Sequence, residues 1–139
     1  MGTDATVGRA TGSASAATAT RPVILIAEDD PIVRELLQEV FEFDLEAEVY
    51  AASGGFELLE LLAKTTPSLI VLDIVMPDMD GIDIAEMVQA DPRLRGTPIV
   101  AVTAQSDHEA IIAAGCSAVV EKPFQIDDLV QAVREVLGV

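Results

Sequence analysis

From residue 22 onward, the apolar positions fall into two alternating kinds of block. The first kind is short and continuous: VILIA at Val23–Ala27, LIVL at 69–72 and PIVAVT at 98–103. A strand with one wet face would alternate apolar and polar residues, so unbroken runs of this length predict strands covered on both sides. Two weaker runs, at 46–51 and at Ala118–Glu121, predict a second and a fifth strand. The second kind of block has helical spacing. Ile32, Val33, Leu36, Leu37, Val40 and Phe41 fall on one helical face, and Phe56, Leu58, Leu59, Leu61 and Leu62 continue after Ser53-Gly54-Gly55 until Thr65-Thr66-Pro67. Further helices are predicted at 82–90, 107–114 and Ile126–Leu137.

The punctuation agrees with this division. Asp30-Pro31 reads as an N-cap followed by proline in the first helical turn, and Asp91-Pro92 ends the third helix because proline disfavours helical geometry in the residue before it. Strands alternating with helices through the whole chain give an α/β fold, a doubly wound five-stranded parallel sheet with five helices. Such sheets bind ligands beyond the carboxyl ends of their strands. Polar residues gather at those ends here: Glu28 and Asp29 after the first strand, Asp73 at the third, Thr103 at the fourth and Lys122 after the fifth.

Singly, each of these residues has a structural explanation, as a helix cap, a loop acid or a solvated charge. Together they carry chemistry. Three carboxylates in one crevice raise each other's pKa unless a cation shares the site, which implies a hard metal ion, a proton trap, or both. An aspartate beside two acids and a divalent cation can attack phosphorus, while a hydroxyl and an ammonium hold phosphoryl oxygens.

Composition narrows the setting. A chain of 139 residues fits one domain, and half its residues are hydrophobic with no Trp, so the core is aliphatic. The formal charge is −16, and the first 21 residues carry a net of +1, leaving about −17 on the rest. That field argues against direct binding of nucleic acid or an anionic membrane and favours basic partner surfaces. Cys116 is the single cysteine, so an intramolecular disulfide and a Cys-based zinc site are excluded, and it reads as a buried apolar residue. Residues 1–21 mix Gly, Ser, Thr and Ala without period and read as a disordered tail, with 22–139 as the folded domain. With no apolar stretch of membrane-spanning length and no secretory signal pattern, the expected location is cytoplasmic.

Four segments, ILIAEDDP, LIVLDIVMPDMDG, AVTA and EKPF, resemble the receiver domains of two-component response regulators over about residues 22 to 139. The D-x-x-M-P-x-M-D-G pattern at Asp73 is the most specific of them. The resemblance implies a flavodoxin-like sheet of strand order 2-1-3-4-5, with Asp73 as phosphoacceptor and Mg²⁺ or Mn²⁺ held by Glu28, Asp29, Asp73 and the backbone carbonyl of Val75. It makes Asp29 the direct metal ligand of the acid pair, Thr103 and Lys122 the phosphoryl-contacting switch residues, and the peptide before Pro123 cis. It also implies a histidine kinase or histidine phosphotransfer protein as donor, and a downstream protein target. The expected product is a switched binding surface: not an enzyme in the usual sense, but a phosphoacceptor that assists its own phosphorylation and slow dephosphorylation.

The chain departs from the family in three places. Val119 stands where the switch aromatic is usual, so switching should rest on Thr103 and its loop. The interval from Thr103 to Lys122 is short, the shortfall lying around 105–114, where lone His108 reads as an exposed loop residue. Val75 and Gln105 occupy positions that influence hydrolysis, and an apolar Val75 cannot orient a water, which predicts a long-lived phosphoryl group. Val75 also counts against a metal-dependent phosphatase, which needs an acid there to protonate its leaving group. The alternative reading is a phosphorylation-independent interaction module on the same fold.

Overall fold

The structure, a computed structural model, describes residues 21–139. The tail expected at 1–21 therefore lies outside the described residues except for Arg21. That residue belongs with the domain: its guanidinium donates to the carbonyls of Glu46 (3.0 Å) and Ala47 (3.2 Å).

Ten elements alternate strictly: β1 Val23–Ala27, α1 Pro31–Asp44, β2 Glu48–Ala52, α2 Gly55–Lys64, β3 Leu69–Asp73, α3 Gly81–Ala90, β4 Ile99–Thr103, α4 His108–Ala113, β5 Ala118–Glu121 and α5 Ile126–Leu137. All strand pairs are parallel, in the order β2-β1-β3-β4-β5. This is the flavodoxin-like order expected for the chain.

The continuous apolar runs follow from burial on both faces. Along β1, Leu25 and Ala27 enter the core beneath α2 and α3, while Ile24 and Ile26 enter the core beneath α1 and α5. Ile70 and Leu72 of β3 join the first core, and Leu69 and Val71 the second. Alternation is present in space, but both sets are apolar, so the sequence shows none.

One boundary and one helix face differ from the sequence reading. β2 starts at Glu48 rather than near residue 46, because Glu46 takes a positive φ of 51°, which no strand accommodates. In α1 the buried residues are Leu37 and Phe41, with Val33 and Val40 half-buried, whereas Ile32 and Leu36 face solvent at 78% and 43% exposure. Cys116 is buried as expected, and burial pushes its thiol up to about 11.

The strand order fixes where the site forms. From β1 the chain crosses to β2 on one side, then returns to β3 on the other, so loops leaving β1 and β3 diverge and open a crevice between them. Register places Ala27 beside Leu72, which brings Glu28 and Asp29, just after β1, together with Asp73 at the end of β3.

Candidate functional site

Asp30 begins α1: its Oδ1 accepts the N–H groups of Ile32 (2.9 Å) and Val33 (3.3 Å), and Pro31 follows in the first turn. This cap sets the backbone that presents Glu28 and Asp29. Glu28 turns inward to 3% exposure, and its Oε2 accepts from the Asp30 N–H at 3.0 Å. Asp29 stays exposed. Arg34, one turn into α1, reaches back to donate to the Glu28 carbonyl at 2.9 Å. Sequence reasoning missed this tie, although an arginine at helical spacing after the acids was its visible signal.

Asp73 ends β3 at 3% exposure, and its Oδ1 accepts the Val75 N–H at 3.2 Å. Gly81 closes the following loop by donating its N–H to the Ile74 carbonyl at 2.8 Å. A Cβ on Gly81 would lie 2.7 Å from the Ile74 Cα, closer than backbone tolerates, which accounts for glycine at the end of the M-D-G segment.

Carboxylate oxygens of Glu28, Asp29 and Asp73 lie within 4.8 Å of one another. Lys122 enters from β5, with Nζ 3.1 Å from Asp73 Oδ2 and 3.5 Å from Glu28 Oε1. The Lys122–Pro123 peptide is cis. Thr103 is fully buried at the end of β4, where its Oγ1 accepts the Gln105 N–H at 3.0 Å, and its carbonyl accepts the Lys122 N–H at 2.8 Å. Val75 points largely to solvent at 56% exposure, and Val119 packs half-buried against the α2–α3 core.

Burial raises the Glu28 carboxyl above its ordinary value, with the Asp73 charge adding to it and the Asp30 N–H and Lys122 opposing it. Burial likewise raises Asp73 against the pull of Lys122 and the Val75 N–H. For Lys122 burial acts downward, but the bonds and charges of Asp73 and Glu28 outweigh it, so its pKa is raised. Lys122 contacts two of the three clustered acids, Glu28 and Asp73. An all-oxygen donor set of this kind fits a hard divalent cation better than any soft metal.

His108 proves to be the first residue of α4 rather than a loop residue. Its Nε2 lies 3.1 Å from the Gln105 carbonyl and 3.8 Å from Glu121 Oε2. Asp107 caps that helix through the Ala110 N–H at 3.2 Å.

The response regulator receiver domain profile matches residues 24–134. The chain belongs to this receiver family. The polar-differentiation response regulator DivK of Brucella anthropi is 30% identical over 118 residues, covering 83% of this chain and 95% of the relative. A response regulator structure from Chloroflexus aurantiacus superposes with TM-score 0.78 at 31% identity, covering 86% of this receiver and 100% of that chain. The receiver domain of a Pseudomonas aeruginosa sensor histidine kinase, whose structure holds a magnesium ion in its active-site cleft, gives TM-score 0.73 at 26% identity, covering 86% and 100%. Among the described residues of this receiver, no helix is long and apolar enough to cross a membrane.

Proposed function

We propose that this receiver domain takes a phosphoryl group onto Asp73 from a histidine kinase or histidine phosphotransfer protein, and that the charge so acquired switches its surface toward a downstream protein. The observation that carries this reading is the buried Asp73 carboxylate, clustered with two further acids and bonded by the Lys122 ammonium, which also reaches Glu28. Glu28, Asp29, Asp73 and the Val75 carbonyl would hold Mg²⁺ or Mn²⁺. When bound, that cation supplies positive charge to the acids and to phosphoryl oxygens.

Asp73 is the nucleophile. One carboxylate oxygen forms a bond to phosphorus as the phosphorus–nitrogen bond of a phosphohistidine breaks, and the leaving imidazole keeps the electron pair and takes up a proton. Lys122 already contacts Asp73 Oδ2, so its ammonium is placed to pair with an oxygen of the incoming group. The Thr103 hydroxyl accepts from Gln105 while its own proton is free to be donated. Turning that hydroxyl toward the phosphoryl group would pull on Gln105 and the loop before α4. The receiver is thus a phosphoacceptor whose output is binding.

Reductive trapping tests this reading. After incubation with a small-molecule phosphodonor and Mg²⁺, borohydride should convert one aspartyl phosphate to homoserine, located at residue 73 by peptide mass mapping. Homoserine at Asp29 or Asp30 instead would misplace the acceptor. Its complete absence would favour the phosphorylation-independent module.

A further inference from the structure

Helix α2 starts without a cap of its own: its N-cap residue is Gly54, which has no side chain to offer the unpaired N–H groups of the first turn. The missing acceptor comes from the loop after β3. Asp78 Oδ1 accepts the Gly55 N–H at 3.0 Å, and its Oδ2 accepts the Phe56 N–H at 3.1 Å. Both oxygens of one carboxylate are engaged by a helix 22 and 23 residues away in sequence.

The two glycines are shaped to this contact. A Cβ on Gly54 would lie 2.8 Å from Asp78 Oδ2, and one on Gly55 would lie 2.7 Å from the Met79 Cβ. The N–H bonds also hold the Asp78 carboxyl below its ordinary value, as expected for a carboxylate used as an acceptor. At the other end of the same loop, Asp80 caps α3 through the Ile82 N–H at 2.8 Å, and a bridge pairs Val75 with Asp80. Residues 74–80 are thereby pinned between the starts of two helices, and Val75 lies within that span.

We propose that Asp78 is a positioning residue of the acid pocket: by capping α2 from the β3–α3 loop, it fixes Val75 and couples the α2 N-terminus to cation binding. This rests on the reading that Val75 and the three acids hold a divalent cation. Coupling of binding free energies is reciprocal, so the cation should in turn protect the capped amides of α2. This route from the pocket to the surface runs through α2 and does not involve Thr103.

Calorimetric titration with Mg²⁺, combined with amide exchange, tests the proposal. Asp78→Ala should weaken Mg²⁺ roughly three- to tenfold, less than the loss of a group bonded directly to a ligand. Asp78→Asn, with one acceptor oxygen, should fall between. Gly54→Ala, which crowds the carboxylate without removing it, should also weaken binding. Arg93→Met supplies the control for α2 stability alone, because Arg93 bonds the Leu62 and Thr65 carbonyls at the far end of that helix; it should lower Tm and leave Mg²⁺ affinity unchanged. In the wild-type receiver, Mg²⁺ should slow exchange at Gly55 and Phe56. Unchanged affinity in Asp78→Ala, with wild type binding normally, would overturn the coupling alone, whereas a wild type that binds no Mg²⁺ would remove the cation reading beneath it.

Discussion

On the β1–β3 side of the pocket, polar groups are tied to helix starts: Asp30 caps α1, Asp78 caps α2 and Asp80 caps α3, with Arg34 clasping the Glu28 carbonyl. On the β4–β5 side there is one acid cap, Asp107 on the short helix α4; Thr103 holds its loop through Gln105, and His108 reaches the Gln105 carbonyl and, in a half-exposed pair, Glu121. The first side is held where it is by several charge-assisted bonds to backbone. The second has fewer such bonds, with Asp107 as its one acid cap. The proposed function would use this difference: many ties where ligands are gathered, and fewer where a change would be passed on.

Lys122 bridges the two sides, and its removal should have the largest effect. Lys122→Gln should slow phosphoryl uptake on the order of 100-fold, as expected when a donor to developing phosphoryl charge is lost. The same variant should bind Mg²⁺ at least as tightly as wild type, since a competing cation has left Asp73 and Glu28. Stopped-flow labelling and calorimetry read the two results separately, and weakened Mg²⁺ binding would contradict the view that Lys122 competes with the cation for Asp73 and Glu28.

A smaller effect is expected at the rim. Val75→Asn, which adds a hydrogen-bonding group beside Asp73, should speed loss of the phosphoryl group roughly three- to tenfold, the worth of one hydrogen bond to an attacking water. A decay rate equal to wild type would remove Val75 as the cause of a long lifetime.

The acids themselves predict how metal-free stability depends on pH. Glu28 and Asp73 have raised values in the folded state, so the folded chain takes up protons at a higher pH than the unfolded chain. Their charged forms therefore cost stability at neutral pH. That cost should be relieved as pH falls from neutrality through the raised values toward the ordinary ones of 4.5 and 3.8. Urea unfolding in chelator should show stability rising over this window, with a flatter profile in Glu28→Gln. Stability falling throughout the window would mean the acids are not strained without a cation.

The smallest effect belongs to His108. His108→Gln should change stability by less than about 0.5 kcal/mol, because its contact with Glu121 is exposed. Yet the His108 ring resonances should shift on phosphorylation if the α4 loop moves with Thr103. Unchanged resonances would place the reporting surface elsewhere, with α2 the next candidate.

The sheet and the acid cluster were legible because both are written locally. Strands covered on both faces appear as unbroken apolar runs, and Glu28, Asp29 and Asp73 sit directly where two of those runs stop. The Asp30-Pro31 start of α1 was equally local. What was hidden depends on distant groups. Ile32 and Leu36 have helical spacing with the buried residues but lie past the edge of the stripe that the sheet covers, which spacing alone does not reveal. The clasp of Asp78 on Gly55 and Phe56 joins segments whose proximity exists only once β1 and β3 are neighbours. The late start of β2 came from a positive φ at Glu46 that residue type does not signal.

Intact-mass measurement after incubation with a small-molecule phosphodonor and Mg²⁺, comparing wild type with Asp73→Asn, tests the central claim most directly. A single phosphoryl adduct on wild type and none on Asp73→Asn is the predicted result. No adduct on wild type, or an adduct that persists in the variant, would contradict it.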